Sequence, residues 1–223
     1  MNGEPAGRPQ GLIAVAHRGG NRMADLRAAL ASGVDVIEAD VHLIHGTLQV
    51  RHRAVAVGRR HSCVPTLEEI LTAANHGGPR LLLDLKGPSL AVADEVAAVL
   101  SDRFPDLPIA VCTKQWRMFD AFSAGSQVRR VYTARTSWQL SRLRTLIRHA
   151  PVGAVSIRRQ LLIPDVVAEL RESGVTVLVW PVDSDAALAD ARRLGASGVI
   201  GKDLGLLRRL VAERNAIREA ALP

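Results

Sequence analysis

Val36-Ile37-Glu38-Ala39-Asp40-Val41-His42-Leu43-Ile44 is a β-branched, apolar run that carries two carboxylates two positions apart. Its composition reads as a buried strand. Side chains on a strand alternate between faces, so Glu38 and Asp40 point the same way. Two acids on one face of a buried strand repel each other, and each loses hydration as well. A shared proton relieves the conflict, and so does a hard cation such as Mg2+ or Ca2+. A strand end relieves it too, with one acid capping a loop and the other in water. The stretch alone leaves these readings even, and its neighbours weight them.

Upstream, Leu12-Ile13-Ala14-Val15-Ala16 is a short strand that ends in the tight turn His17-Arg18-Gly19-Gly20. A helix is predicted from Arg22 to Ala31, with Met23, Leu26 and Leu30 at helical spacing and Gly33 as its stop. Downstream, His45-Gly46 turns the chain into a returning segment, Leu48 to His52, and residues 53 to 64 form a loop. Pro65-Thr66-Leu67-Glu68-Glu69 has the spacing of a capping box and opens a helix to about Asn75. Leu81 to Lys86 is the next strand, followed by a helix from Ser89 to Leu100.

The same beat then repeats. Strands at 109–113, 128–133, 153–157, 175–180 and 198–200 precede helices at 116–124, 137–149, 164–173, 185–194 and 204–220. About eight strand–helix units are expected, the number that closes a parallel barrel. An open doubly wound sheet has the same local beat, so closure is an inference. The expected architecture is an α/β, single-domain (β/α)8 TIM barrel over residues 11–223, behind a flexible Gly/Pro-rich leader at 1–10.

The chain has 223 residues, 48% of them hydrophobic, enough for one large core. The formal charge of +7 rests almost wholly on arginine, since Lys86, Lys114 and Lys202 are the only lysines. A solvated basic surface accounts for this, and attraction of an anionic substrate is the functional counterpart. Aromatics are 3%, too few for stacking platforms, so no nucleic-acid partner is expected. Cys63 and Cys112 form no CxxC pair and suit a reducing compartment. The first ten residues lack an apolar core, and no apolar run is long enough to span a bilayer. The expected location is cytoplasmic.

In a closed barrel the strand ends line one mouth, where active sites lie. His17 ends the first strand, Glu38 and Asp40 lie on the second, His52 ends the returning segment, and Asp84 and Lys86 share a face of the third. Three carboxylates suit a hard divalent ion. Lys86 suits a phosphoryl oxygen, although a plain Asp84–Lys86 ion pair is the simpler reading of those two. Two histidines can divide the proton transfers. Each residue taken singly has an ordinary structural role available, and their joint placement on the first three units makes the functional reading the stronger one.

His17-Arg18-Gly19, Glu38-Ala39-Asp40-Val41, a His after a returning segment and an acid-x-Lys pair together resemble the glycerophosphodiester phosphodiesterase family. Pro65-Thr66-Leu67-Glu68-Glu69, Trp180-Pro181-Val182-Asp183 and Gly198-Val199-Ile200-Gly201-Lys202-Asp203 extend the likeness over nearly the whole chain, in order. The resemblance implies a TIM barrel that cleaves glycerophosphodiesters to sn-glycerol 3-phosphate and an alcohol with a divalent cation. It implies His17 and His52 as the acid/base pair and Glu38, Asp40 and Asp84 as metal ligands. Lys86 and Arg18 would contact the phosphate, and Trp180 would wall the glycerol. Three positions depart from the family. Asn21-Arg22-Met23-Ala24-Asp25 replaces its Pro-Glu-Asn-Thr segment, with Asn21 or Asp25 as partial substitutes. Arg53 stands where an Asp usually follows the second His, and Asp84 where Glu is usual. The Asp-x-Lys form is similar to related phospholipase D-like lyases, which release a cyclic phosphate. A catalytically weakened barrel that binds phosphodiesters or a protein partner is the third reading.

His42 shares the face of Glu38 and Asp40 by parity, and a loop contact is expected for it. The Arg-Arg pairs are expected in water. In the C-terminal helix, Leu206, Leu207, Leu210, Val211 and Ile217 oppose Arg208, Arg209, Arg214 and Arg218. Packing on the barrel is the default for this helix, and contact with a membrane surface is the sharper alternative.

Overall fold

The computed structural model describes residues 11–54, 64–75, 80–123 and 126–220. The predicted leader, Cys63, Arg59, Arg60, His61 and His76 lie outside these residues. The elements run β1 (Ile13–Ala16), α1 (Met23–Ala31), β2 (Val36–Ile44), β3 (Thr47–Val50), α2 (Leu67–Ala74), β4 (Arg80–Leu85) and α3 (Ala91–Arg103). They continue through β5 (Ile109–Thr113), β6 (Arg129–Ala134), α4 (Ser137–His149), β7 (Ala154–Arg158), α5 (Pro164–Glu172), β8 (Thr176–Trp180), α6 (Asp185–Arg193), β9 (Gly198–Gly201) and α7 (Leu204–Ala220).

Eight of the strands are parallel neighbours, and β1 pairs with both β2 and β9, so the sheet closes. This is the (β/α)8 barrel. β3 is the ninth strand, an antiparallel addition to β2. Its hairpin turns through His45 at φ 49 and Gly46 at φ 77, the left-handed pair that a two-residue turn needs. One expected helix differs: Trp116–Ala121, after β5, is a 3-10 helix. It is short and closes on its own hydrogen bonds, with Met118 and Phe119 buried.

Strand parity separates two apolar layers. Val15, Leu82, Cys112, Val131, Leu178 and Ile200 fill the barrel interior. Ala14, Ile37, Leu81, Leu83, Val111, Val155, Val177 and Val199 face outward into the main core that also takes in the buried faces of the helices. Val36 packs on the inner cluster, so Glu38 and Asp40, two and four residues on, take the inner parity. The capping box of α2 forms as expected, with Thr66 accepting from the Glu69 N–H and Glu69 accepting from the Thr66 N–H.

α7 packs on the barrel through Leu206, Leu207, Leu210 and Val211, while Ile217 stays exposed. Arg214, on the polar side of this helix, makes a long-range ion pair. Its guanidinium holds Asp35 in two bonds of 2.6 and 2.9 Å, and Asp35 also accepts from the Ala14 N–H. This ties α7 to the starts of β1 and β2. Near the other end of β9, Gly201 lies so close to the Val182 carbonyl that a Cβ would collide with backbone, whereas a Cβ on Gly153 meets nothing within 4 Å. Gly201→Ala is expected to lower the unfolding free energy by about 2 kcal/mol or more, and Gly153→Ala to stay within about 0.5 kcal/mol. Urea titration of both proteins measures the difference, and equal midpoints would contradict the close approach.

Candidate active site

Parallel pairing of β2 with β4 sets Asp40 beside Asp84 in register, with Glu38 two residues lower on β2, beside Leu82. One oxygen from each of the three carboxylates lies within 4.8 Å of the other two. Asp84 therefore reaches the cluster despite its short side chain. Glu38 and Asp40 are almost wholly buried, at 4% and 1% exposure, and Asp84 is half-buried.

The backbone prepares this cluster. His17 N–H donates to the Gly201 carbonyl at 2.7 Å and starts the turn after β1. Arg18 then adopts φ 58, and its N–H donates to Glu38 Oε2. Gly20 N–H donates to the Glu38 carbonyl at 3.0 Å. Asn21 makes a reciprocal pair with Asp40: its Nδ2 donates to Oδ2 at 2.7 Å, and its Oδ1 accepts from the Asp40 N–H at 2.8 Å. Of the two substitutes weighed for the family's missing segment, Asn21 is at the site. Asp25 instead pairs with Arg22.

The β2–β3 hairpin brings His52 back to the same carboxylate. Arg51 N–H donates to the Asp40 carbonyl at 2.9 Å, and His52 Nδ1 lies 3.2 Å from Asp40 Oδ2. Arg18 Nη2 sits 2.9 Å from His52 Nε2. A guanidinium only donates, so Nε2 accepts and Nδ1 carries the proton. Asp40 thus orients His52, the task expected of the residue that Arg53 replaces.

Electrostatics follow from this packing. Burial raises the Glu38 carboxyl well above its usual range, and the nearby charges of Asp40 and Asp84 push the same way. Burial acts on Asp40 too, but Lys86, Asn21 and His52 outweigh it and hold its carboxyl below the usual range. Lys86 contacts Asp84 and lies 2.6 Å from Asp40 Oδ1, and these two acids keep it charged against its own burial. Lys86 and the Arg18 guanidinium, 3.4 Å from Asp40 Oδ2, offset only part of the charge of three carboxylates, and a cation would offset the rest. The donor set therefore fits a hard divalent ion. Lys86 now lies between Asp40 and Asp84, and it would have to leave at least one of them for both to hold such an ion.

His17 lies beside this group, with its Nδ1 buried and without a hydrogen-bond partner. Burial and the Arg18 charge lower its pKa to about 4, so the ring is neutral at pH 7. Trp180 ends β8 and packs on the interior cluster. His42 is half-buried beside the cluster with Nε2 unpartnered, and burial lowers its pKa. Two further residues stand at the mouth that the sequence reading does not place there. Arg135 lies over the Trp180 ring, 5.5 Å from its centroid, and Lys114 is influenced by Arg135, Lys86, Asp84 and Asp40. Parity continued past the ends of β5 and β6 is the signal that marks both.

Fold and site together define a closed (β/α)8 barrel with an acidic, cation-ready centre at the C-terminal mouth. No protein-family model matches the chain, and no curated protein matches it in sequence. Solved structures do match in fold along its length. A glycerophosphodiester phosphodiesterase from Thermotoga maritima is 18% identical with a TM-score of 0.73, covering 89% of this chain and 98% of its own. A phosphodiesterase from Oleispira antarctica, in complex with the product sn-glycerol-3-phosphate, is 19% identical with a TM-score of 0.73 over 89% and 96%. A glycerophosphodiester phosphodiesterase from Parabacteroides distasonis is 19% identical with a TM-score of 0.71 over 92% and 99%. At these identities the likeness is one of fold. Among the described residues no helix is long and apolar enough to cross a membrane.

The lowered His17 pKa makes stability depend on pH. Between 6.5 and about 4 the unfolded chain binds a proton that the native ring refuses, so stability falls as pH falls through that window. The full difference is about 3 kcal/mol. Urea midpoints of wild type and His17→Gln should converge from pH 7 to pH 4, and parallel curves would show that His17 does not titrate this way.

Proposed function

We propose that this barrel hydrolyses glycerophosphodiesters to sn-glycerol 3-phosphate and an alcohol, with a divalent cation, Mg2+ or Ca2+, held by Glu38, Asp40 and Asp84. The observation that carries the reading is the convergence of three carboxylate oxygens within 4.8 Å, flanked by His17, His52 and Lys86. The bound ion supplies Lewis-acid stabilisation of the charge on a phosphoryl oxygen. Lys86 and the Arg18 guanidinium bind the remaining phosphoryl oxygens. His17, neutral at pH 7, takes the proton of the attacking water. His52 protonates the leaving alkoxide: burial and the Arg18 charge lower its pKa, Asp40 behind Nδ1 opposes them, and the imidazolium gains when Arg18 turns from Nε2 to the phosphate. Trp180 walls the glycerol side of the mouth. The reaction takes place in the cytoplasm, on the reading of the two cysteines as reduced thiols.

One observation favours the lyase as a second reading. Leu90, Trp138 and Ile163 are 39%, 69% and 56% exposed, and each sits at or near the start of the helix that follows β4, β6 or β7, on the mouth side. An acyl chain beside the mouth would cover such groups. Phosphorus NMR of purified protein with Mg2+, Ca2+ or Mn2+ separates the readings on glycerophosphocholine and lysophosphatidylcholine. Linear phosphate is expected. Cyclic phosphate would select the lyase, and no turnover with any ion would select a binding barrel.

His17→Ala and Glu38→Gln are each expected to lower turnover by about 100-fold or more. Near-normal rates in both would remove the assignment. Asn21→Ala should weaken cation binding by about 10- to 100-fold, because it frees the Asp40 carboxylate to rotate. Calorimetric titration with Mn2+ reads that change, and unaltered affinity would show that Asn21 does not position Asp40.

A further inference from the structure

The β5–β7 side of the mouth holds cations that the reaction proposed above does not use. Lys114 follows β5 and Arg135 follows β6. Cys112 and Val131 belong to the interior cluster, so Lys114, two positions on, and Arg135, four positions on, share the inward parity at the rim. Both are exposed there. Arg135 is spread over the Trp180 ring. Partial burial disfavours the Lys114 ammonium, and the like charges of Arg135 and Lys86 disfavour it further. Among the described residues neither Lys114 nor Arg135 has a carboxylate within ion-pair distance. Elsewhere on the surface Arg103, Arg144, Arg192 and Arg209 each find an acid. Arg158, the register partner of Trp180, is a further exposed cation on this arc.

All three acids of the centre lie on β2 and β4, and the arc begins on β5, the strand that pairs with β4. A diester whose phosphate sits at the acids and whose substituent extends over the β5–β6 rim of the mouth therefore meets two cations without counter-charges. We propose that Lys114 and Arg135 form an anion subsite, so that the preferred substrates are phosphodiesters bearing a second negatively charged group, a phosphate or a carboxylate, on the substituent that extends over this rim. This rests on the acidic centre being the phosphodiester site. A quaternary ammonium in the same place would face like charges, so choline-type diesters are the weaker of the substrates. The second anion can belong to a free diester or to a lipid headgroup.

Bis(glycerophospho)glycerol, with two phosphodiesters, and glycerophosphocholine are the paired probes. Binding is read by titration calorimetry in Mg2+ on His17→Ala protein, which keeps all three carboxylates, and turnover by phosphorus NMR on wild type. The dianionic probe should bind at least about tenfold more tightly, with a preference that shrinks as salt is raised. Lys114→Gln and Arg135→Gln, each added to His17→Ala, should cut that ratio at least about fivefold, while Arg135→Lys restores most of it. Equal or undetectable binding of the two probes, or a ratio untouched by both Gln variants, overturns the subsite. Selective binding without turnover of any diester would instead sink the proposed chemistry and leave the subsite standing. Turnover without selectivity does the reverse. The same diesters carrying one acyl chain, dispersed in detergent, show whether a free or a lipid source is preferred, and a preference that depends on Lys114 and Arg135 in either series supports the subsite.

Discussion

Closing eight parallel strands in this register forces three like charges together. Asp40 and Asp84 are direct neighbours across the β2–β4 ladder, and Glu38 lies below them on the inner face. Neither strand can slip by one residue to separate them. A slip would turn Val36 and Leu82 out of the barrel interior and bring their outward-facing neighbours in. The apolar packing of the barrel thus maintains an electrostatic conflict at its mouth, and much of the surrounding structure answers it. The left-handed Arg18 aims its N–H at Glu38, Asn21 clamps both the side chain and the N–H of Asp40, and Lys86 lies between two acids. What these donors leave uncompensated is the charge that makes the centre suited to a cation.

The same donors show how a site can be rebuilt when familiar parts are missing. Orientation of a histidine needs an acceptor behind one ring nitrogen, but that acceptor need not be the next residue in the chain. Here the two-residue turn at His45-Gly46 fixes the pairing of Val41 with Val50, and that pairing lands His52 on Asp40. Asn21 likewise holds the carboxylate from the first loop with neutral donors and acceptors. A carboxylate at that position would instead have added a fourth negative charge to the centre.

Elements whose cause is local were legible from residue order. The parity of Glu38 and Asp40, the capping box at Thr66, the turn at His45-Gly46 and the strand–helix beat all depend on contacts a few residues apart. The register of β2 against β4 was not legible, because it is set by long-range packing of the whole barrel, and that register decides whether Asp84 reaches the acids. The pairing of His52 with Asp40 was hidden for the same reason, so the residue after His52 looked more important than it is. The ion pair of Arg214 was not legible because its partner, Asp35, is 179 positions away. Trp116–Ala121 has helical spacing in both forms, and nothing in its side-chain pattern distinguishes a 3-10 turn from an α-helix of that length.

Charge across the mouth is divided, and the division has a mechanical consequence. Acids occupy β2 and β4, while Lys114, Arg135 and Arg158 follow or end β5, β6 and β7. The potential therefore changes sign over the width of one barrel opening. A symmetric anion has no preferred orientation in such a field beyond its contact with a bound cation. A diester with unequal ends does, because its more negative end is drawn to the arginine side while its phosphate is held at the acids. Orientation would then come from the field of the mouth as well as from shape, and it would need no moving lid. Trp180 ends β8, next to the arc, with its ring under Arg135 and its strand beside that of Arg158. The aromatic face holds one cation of the arc in place without neutralising it, which leaves that charge available to a ligand.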